Sequence, residues 1–176
     1  MEKVINGQFQ KIQKYPHYEE IERRTRELAE RIHYPCDKLP YLIVAFCRTK
    51  LSEGEGDGKG KNYVNDAMAT LGDAVLRLVL TEKHFLDGMD KSQITNQRIK
   101  QECNNCLYGI AERQGWIDCL YHETHFYGAA PKNNAVSAGK HDSCVEAMIC
   151  AFYLSGDFIG AKRFIQQYIE LQEEEE

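Results

Sequence analysis

The sequence has neither a long hydrophobic run nor an excess of positive charge. No run of about 18 apolar residues occurs, and the N-terminus lacks the apolar core of a signal peptide. We therefore expect a soluble, cytoplasmic protein. The formal net charge of −5 argues against a protein that coats nucleic acid through bulk electrostatics. It leaves room for a metal site, because acids gathered around a cation lower the net charge while local basic side chains still meet phosphate.

The sequence also lacks repeats and the strict polar–apolar alternation that is typical of strands. At 176 residues the chain fits one domain with a substantial core. Apolar residues recur at helical spacing, and a glycine-rich, charged stretch at residues 52–61 predicts a loop. The sequence predicts an all-α domain with helices at residues 17–33, 39–48, 62–84, 92–113 with a kink near Gly109, 141–154 and 157–172.

Seven cysteines are an odd number, and most lie beside apolar residues in helical segments. This favours a reduced cytosolic protein in which cysteine serves as a small hydrophobic residue. Cys103 and Cys106 form a closely spaced pair that could begin a zinc or redox site. A zinc site would also need His122 and His125, so we favour the hydrophobic role.

Two carboxylates lie in otherwise apolar helical segments. Asp73 lies in Thr-Leu-Gly-Asp-Ala-Val-Leu at residues 70–76, and Glu146 lies in Val-Glu-Ala-Met-Ile at residues 145–149. A buried carboxylate needs a partner, because removing its water costs several kcal/mol or more. The pattern indicates a metal site shared by two helices. The alternative is that each acid lies on the polar face of its helix or pairs with a basic side chain.

These segments resemble the catalytic domain of the ribonuclease III family, from about residue 28 to residue 169. One signature of that family, Leu-Gly-Asp-Ala/Ser-Val-Leu, matches residues 71–76. The second, Phe/Val-Glu-Ala-Leu/Met-Ile followed by Tyr-Leu and a glycine turn, matches residues 145–149, 153–154 and Gly156. The intervening Arg98, Asn104 and residues 107–111 also resemble family residues. The resemblance implies the helical ribonuclease III endonuclease fold.

Other features resemble the small, stand-alone mini-ribonuclease III branch. That branch has a Gly-x-x-Pro-Lys-Asn segment ahead of its catalytic glutamate, matched here from Gly128 to Asn133, and an alanine near the position of Ala69. We divide the chain into an N-terminal helical extension at residues 1–27, a ribonuclease III-like catalytic domain at residues 28–172 and an acidic tail at residues 173–176. We expect no double-stranded RNA-binding domain after it.

The resemblance implies Asp73 and Glu146 as the catalytic residues and metal ligands. In the larger family four acids surround the metals, but here Ala69 and Ser143 stand at two of those positions. Asp142 precedes Glu146 by one helical turn, and Asp66 precedes Asp73 by two. We therefore name Asp142 and Asp66 as additional metal ligands, acting directly or through water. The alternative is that both are ordinary surface acids.

The resemblance further implies an endoribonuclease that uses Mg²⁺, or alternatively Mn²⁺, to cut double-stranded RNA and leave 5′-phosphate and 3′-hydroxyl ends. Two active sites across a homodimer would cut the two strands, with an interface made by the Asp73 helix and residues 39–48. Implied partners are a ribosomal RNA precursor or a ribosomal protein. Our candidates for RNA contacts are Lys132, Asn133, Lys140 and Arg98.

Two other functions remain open. The first is a non-catalytic RNA-binding or assembly protein with this fold, which would be expected to lose family acids as this chain has at Ala69 and Ser143. The second is an unrelated helical metal-dependent enzyme.

Overall fold

The computed structural model describes residues 2–48, 64–122, 125–126, 143–156 and 158–170. Two short 3-10 helices lie at Cys36–Lys38 and Trp116–Cys119. The predicted all-α class is confirmed, because the three strands in these ranges have only two residues each. The α-helices are α1 (Glu2–Ile12), α2 (Tyr18–Arg31), α3 (Leu39–Phe46), α4 (Val64–Leu86), α5 (Lys91–Gln101), α6 (Asn104–Arg113), α7 (Ser143–Leu154) and α8 (Phe158–Tyr168).

The break between α5 and α6 differs from the prediction of one helix kinked near Gly109. Asp90 opens α5 with a capping box, since its carboxylate accepts from the N–H groups of Ser92 and Gln93. The helix ends at Gln101 with Glu102 as its C-terminal cap, and Cys103 adopts an extended conformation before α6 begins. Gly109 lies inside α6. The predicted stop at Gly115 is confirmed, because this glycine has φ +67° and its N–H bonds to the carbonyl of Glu112.

Helix α7 is the centre of the core. All but four of its twelve residues are buried, as expected for a helix that is apolar on nearly every face. Helices α3, α4 and α8 pack against it. The long α4 buries a stripe that includes Val75, Leu76, Val79 and Leu80 on this side. The packing of α4 on α7 determines where the two candidate carboxylates lie.

Helix α3 does not supply the spare apolar surface that we expected. Leu42, Ile43, Val44 and Phe46 are each 0–1% exposed within a single chain. These side chains lie in contact with helices of the same chain, because α1, α2, α4 and α7 surround α3. We placed residues 39–48 in a dimer interface because we expected them to have spare apolar surface. That physical reason is therefore wrong.

The first two helices belong to the same hydrophobic cluster as the rest of the chain. Ile5 and Ile12 of α1 and Ile21 and Leu28 of α2 are buried, and both helices pack against α3. The predicted boundary after residue 27 falls inside α2, and our division of the chain stays a prediction. None of the helices in the described ranges is long and apolar enough to cross a membrane.

A small sheet connects the end of α3 to the segment after α6. Strand β1 (Cys47–Arg48) pairs in parallel with β2 (Tyr121–His122), which pairs antiparallel with β3 (His125–Phe126). Its short strands bury Cys47, Tyr121 and Phe126. The sheet also fixes the backbone at Arg48, whose guanidinium reaches α4.

The seven cysteines comprise four buried free thiols, one exposed free thiol at Cys36, and one bonded pair. Cys47, Cys119, Cys144 and Cys150 are free and buried, which confirms their role as small hydrophobic residues. Burial raises the pKa of Cys119 to about 11 and that of Cys150 to about 12, so both stay protonated near neutral pH. Cys103 and Cys106, in contrast, form a disulfide, so the prediction of reduced thiols is wrong for this pair.

Candidate active site at the crossing of two helices

Helices α4 and α7 approach each other most closely at Gly72. A Cβ atom built on Gly72 would lie 1.8 Å from the carbonyl oxygen of Glu146 and 3.1 Å from its Cα. The Cα atoms of Gly72 and Glu146 are therefore less than about 5 Å apart. Only glycine permits this approach, because the atoms that a side chain would meet belong to the backbone of α7. Asp73 is the next residue on α4, so both candidate carboxylates belong to residues at or next to this crossing.

Asp73 is half-buried on α4, with 33% of its side chain exposed. Its two carboxylate oxygens accept hydrogen bonds from Nη2 of Arg77, one turn further along the helix, at 3.1 and 3.3 Å. The site therefore contains a compensating positive charge next to this candidate ligand. Since 53% of the Arg77 side chain is exposed, this ion pair is weak enough to be exchanged for another cation.

Arg77 also connects Asp73 to the end of α5. Its Nε lies 3.6 Å from a carboxylate oxygen of Glu102. Glu102 in turn accepts from Nη1 of Arg98 at 2.8 and 2.9 Å, and both of these side chains are less than a fifth exposed. These contacts form a chain of alternating charges from Asp73 through Arg77 and Glu102 to Arg98. We call it the α4–α5 ion-pair chain.

Arg77 and Glu102 were not predicted from the sequence. The signal was present, because Arg77 follows Asp73 by four residues and Glu102 follows Arg98 by four, and side chains at that spacing are neighbours on a helix. The contact between Arg77 and Glu102 joins two helices, and no local spacing predicts it. Arg98 was proposed for RNA contacts; the structure pairs it with Glu102, and an RNA contact stays a prediction.

Glu146 is half-buried, although its neighbours Val145 and Ala147 are fully buried. It thus lies at the edge of the core on the side of α7 that faces α4, where the helices meet at Gly72. Ser143 is also half-buried and precedes Glu146 by one turn. Its hydroxyl stands where the resemblance implies a carboxylate, so this helix offers one acid among its described residues.

Asp66 has a different partner from the one we predicted. Its carboxylate accepts from Nη2 of Arg48 at 3.1 and 3.4 Å, and the Arg48 side chain is only 14% exposed. Ala69 lies between Asp66 and Asp73 on α4 and is buried. Over the part of the chain that the structure describes, no group of three or more Asp, Glu, His or Cys side chains could hold a metal ion. Asp66 as a metal ligand stays a prediction.

The remaining predicted site residues lie outside the described residues. These are the metal ligand Asp142 and the RNA-contact residues Lys132, Asn133 and Lys140. The Gly-x-x-Pro-Lys-Asn segment also falls there, as do the side chains of His122 and His125. The roles assigned to them stay predictions.

Asn65 is a further polar residue that the sequence analysis did not single out. It is 1% exposed on α4, and among the described residues neither its amide oxygen nor its amide nitrogen has a hydrogen-bond partner. A buried amide normally has partners, because an unsatisfied polar group costs about 1–3 kcal/mol. Asn65 precedes Asp73 by eight residues, which is a little over two turns or about 12 Å along the axis of α4. The same helix therefore carries a buried amide without a described partner, at a distance from the candidate site.

The donor set at the crossing fits a hard cation. Asp73 and Glu146 offer carboxylate oxygens from two helices, and the Gly72 contact holds those helices together. Mg²⁺ is commonly bound through one or two carboxylates together with retained waters and substrate phosphates, so two acids suffice for it. Burial raises the pKa values of the Cys47 and Cys150 thiols, which makes these two cysteines poor ligands.

Comparison with known proteins relates the chain to one family. The model of the ribonuclease III domain family matches residues 66–157, which is more than half of the chain and includes Asp73, Glu146, all of α7 and nearly all of α4. Ribonuclease 3 from Clostridium acetobutylicum is 28% identical over 155 residues, covering 86% of this chain and 64% of that protein. Ribonuclease 3 from Clostridium kluyveri is 31% identical over 116 residues, covering 62% and 44%. The chain thus spans about half to two thirds of the length of these curated relatives.

The fold agrees with this relationship. The nuclease domain of ribonuclease III from Campylobacter jejuni superposes with a TM-score of 0.64 at 24% identity, over 82% of this chain and 94% of that one. That structure shows flexibility in a region involved in dimer formation. Together with the family match across both signature helices, the shared fold shows that the chain belongs to the ribonuclease III domain family.

Proposed function

We propose that the protein is an Mg²⁺-dependent endoribonuclease that cleaves double-stranded RNA and leaves 5′-phosphate and 3′-hydroxyl ends. The close approach of Gly72 to Glu146 carries this proposal, because it brings two acids of a ribonuclease III domain to one helix crossing. The relatives named ribonuclease 3 support the reaction class. A gel assay of the purified protein on a long RNA duplex with Mg²⁺ tests it.

Asp73 and Glu146 would hold the cation. When bound, Mg²⁺, or Mn²⁺ in its place, would lower the pKa of a water for attack on the phosphodiester and neutralise charge on the leaving oxygen. Asp73 must then exchange its ion pair with Arg77 for the metal. Because Glu102 lies within 3.6 Å of Arg77, the guanidinium keeps an anionic neighbour when Asp73 turns to the cation.

A homodimer would place two such sites on one duplex, so that each site cuts one strand. The exposed side of α4 is the surface that fits this arrangement. Leu78 is 58% exposed, Ala74 is exposed one turn before it, and both follow Asp73 closely on the helix. Large exposed apolar side chains beside a functional site commonly mark interfaces. We therefore keep the Asp73 helix as the interface and remove α3 from it.

Replacing Leu78 with aspartate is expected to convert the dimer to a monomer. A charge placed at the centre of a symmetric apolar contact appears twice in the dimer and must lose its water in both copies. Light scattering should give twice the chain mass of 20.3 kDa for the wild type and the chain mass for the variant. Ile159 of α8, 60% exposed, provides the matched control, and Ile159→Asp should remain dimeric. A wild-type monomer at micromolar concentration would contradict the dimer.

The predicted outer ligands give a second test. If Asp142 acts through metal-bound water, Asp142→Asn should lower the cleavage rate about 10- to 100-fold, with partial recovery at higher Mg²⁺ concentration. Asp66→Asn should have a smaller effect, because Asp66 is paired with Arg48 and lies about 10 Å from Asp73 along the helix axis. The double variant Asp142→Asn, Asp66→Asn gives the contradicting outcome. If its rate and its Mg²⁺ dependence equal those of the wild type, Asp73 and Glu146 act alone.

RNA contacts are proposed for Lys132, Asn133, Lys140 and Arg98. An A-form duplex is recognised mainly through phosphates and 2′-hydroxyl groups across its minor groove, and basic and amide side chains suit both. A ribosomal RNA precursor, with or without a ribosomal protein, is our proposed natural substrate. The proposed location is the cytoplasm.

One observation favours a different function. Ala69 and Ser143 replace two family acids, and the described residues contain no cluster of three acids around the crossing. A protein that binds duplex RNA without cutting it, or that serves in assembly, would show the same replacements. In the gel assay, this alternative predicts a shifted duplex that stays intact when Mg²⁺ is added.

A further inference from the structure

Cys103 and Cys106 form a disulfide at the beginning of α6, with their Cα atoms 5.3 Å apart. Cys106 is exposed and Cys103 is half-buried. The other exposed cysteine among the described residues, Cys36, is free. The Cys103–Cys106 pair is therefore the pair of described cysteines that small thiols and disulfides in solution can reach.

The position of Cys103 suits thiol chemistry. It is the residue before the first turn of α6, and its Sγ accepts a hydrogen bond from the backbone N–H of Cys106 at 3.3 Å. Backbone N–H groups at the start of a helix stabilise a thiolate, which is the reactive form of cysteine. Cys103 is thus suited to attack a disulfide, and Cys106 is placed to resolve the product.

The same geometry offers two discrete states. The Sγ of Cys106 lies 2.8 Å from the carbonyl oxygen of Lys100, in the last turn of α5. Only a thiol has a proton to donate to this oxygen. Reduction therefore exchanges a covalent link within α6 for a hydrogen bond that satisfies one of the open carbonyl groups at the end of α5. The bonding at the junction between α5 and α6 therefore differs between the two states.

Glu102 lies in this junction, directly before Cys103. Its carboxylate is the member of the α4–α5 ion-pair chain that joins Arg98 to Arg77, and Arg77 binds Asp73. A change in the bonding of Cys103 therefore occurs next to a group that is two ion pairs away from the candidate metal ligand.

We propose that Cys103 and Cys106 form a reversible thiol–disulfide exchange site for low-molecular-weight disulfides, and that its state is coupled through Glu102 to Arg77 and Asp73. In the oxidation, the Cys103 thiolate attacks one sulfur of the small disulfide, forms a mixed disulfide and releases one small thiol. The Cys106 thiolate then attacks the Cys103 sulfur and releases the second. The two protein thiols lose two electrons and two protons, and the small disulfide becomes two thiols.

The disulfide holds Glu102 beside Arg77, which keeps part of the guanidinium charge away from Asp73. Reduction loosens this contact, so more of that charge acts on Asp73 and competes with a cation there. The oxidised form is accordingly the one with the higher affinity for Mg²⁺. This consequence rests on the proposed function, whereas the exchange site itself does not.

The test is a redox equilibrium measured in glutathione buffers of different composition. The folded protein is equilibrated, quenched with acid, unfolded and alkylated, and the labels are counted by mass spectrometry. We expect seven labels in reducing buffer and five in oxidising buffer, with one transition. Cys36→Ser should show the same transition with one label fewer throughout. A constant label number, or loss of the transition in Cys36→Ser, would overturn the exchange site.

Coupling is tested in the same measurement, because linkage is reciprocal. If the disulfide favours the Glu102–Arg77 contact, Arg77→Met should shift the equilibrium toward the dithiol by about 2- to 5-fold, the range of an exposed ion pair. Glu82→Gln, which removes another exposed ion pair of α4 with Lys162, is the matched control and should cause no shift. Equal shifts in both variants, or none in Arg77→Met, would overturn the coupling. Neither result depends on RNA cleavage, so each is distinct from a failure of the proposed function.

Discussion

Replacing Glu146 with glutamine is expected to abolish RNA cleavage while leaving the fold and duplex binding intact. The amide keeps the size of the side chain but loses the negative charge that holds the cation. Loss of an outer partner of a metal ligand typically costs about 10- to 100-fold, so loss of a direct ligand should exceed about 100-fold. The reduction should appear in the turnover rate, because the interaction acts on the chemical step.

Glu30→Gln is the matched control for this prediction. Glu30 is an exposed glutamate near the end of α2, on a helix that does not contribute to the crossing, so its variant should cleave at the wild-type rate. Circular dichroism and a gel shift without Mg²⁺ would show that Glu146→Gln is folded and binds duplex. Cleavage by that variant within a few-fold of the wild type would exclude Glu146 as a metal ligand.

Replacing Gly72 with alanine is expected to destabilise the protein strongly. The new Cβ would lie 1.8 Å from the carbonyl oxygen of Glu146, and a backbone atom of a central helix cannot turn aside as a flexible side chain can. Helices α4 and α7 must then separate, which opens the core along both. Inserting one extra methyl group into a packed core typically costs about 1–3 kcal/mol, and we expect the upper end or more here. Urea unfolding would measure the change in the free energy of unfolding.

Gly7→Ala is the control for the general effect of replacing glycine with alanine inside a helix. Gly7 lies inside α1, and a Cβ built there meets no atom within 4 Å. Alanine is favoured over glycine inside a helix by about 0.5–1 kcal/mol, so this variant should be slightly stabilised. A Gly72→Ala protein as stable as the wild type would show that the helices are not in contact at this point. The geometric basis of the two-carboxylate site would then be lost.

Helices with one polar face and one apolar face were predicted well from the sequence, and the other helices less well. Helices α2, α4 and α8 have such faces, and their predicted positions are close to the observed ones. The prediction failed at the α5–α6 junction, because glycine was treated as the breaker. The break is in fact made by Cys103, whose sulfur caps α6 although cysteine is not a usual capping residue.

Helix α3 shows a second limit. Its residues are apolar on every side, and periodicity cannot decide whether such a helix is central in its own chain or covered by a partner. The structure places it in the core, surrounded by helices that are distant in sequence. Burial of this kind depends on the tertiary arrangement, which a local pattern does not contain.

At the candidate site, the pair Asp73 and Glu146 could be proposed from the sequence, because carboxylates in apolar segments are unusual and the two signatures occur in order. Their role as metal ligands stays a prediction. The role of Gly72 could not be predicted, since its partner is a backbone carbonyl about seventy residues later. The pairing of Asp66 with Arg48 was hidden for the same reason, because it requires β1 to lie beside α4.

The most direct test of the central claim is cleavage of a long RNA duplex by the purified wild-type protein with and without Mg²⁺. We predict cleavage only with the metal and at sites on both strands. The products should carry 5′-phosphates, so their 5′ ends can be labelled with phosphate only after dephosphorylation. Binding of the intact duplex by a folded protein, with no cleavage at any Mg²⁺ or Mn²⁺ concentration, would contradict the claim. The two carboxylates at the α4–α7 crossing would then belong to a protein that holds RNA without cutting it.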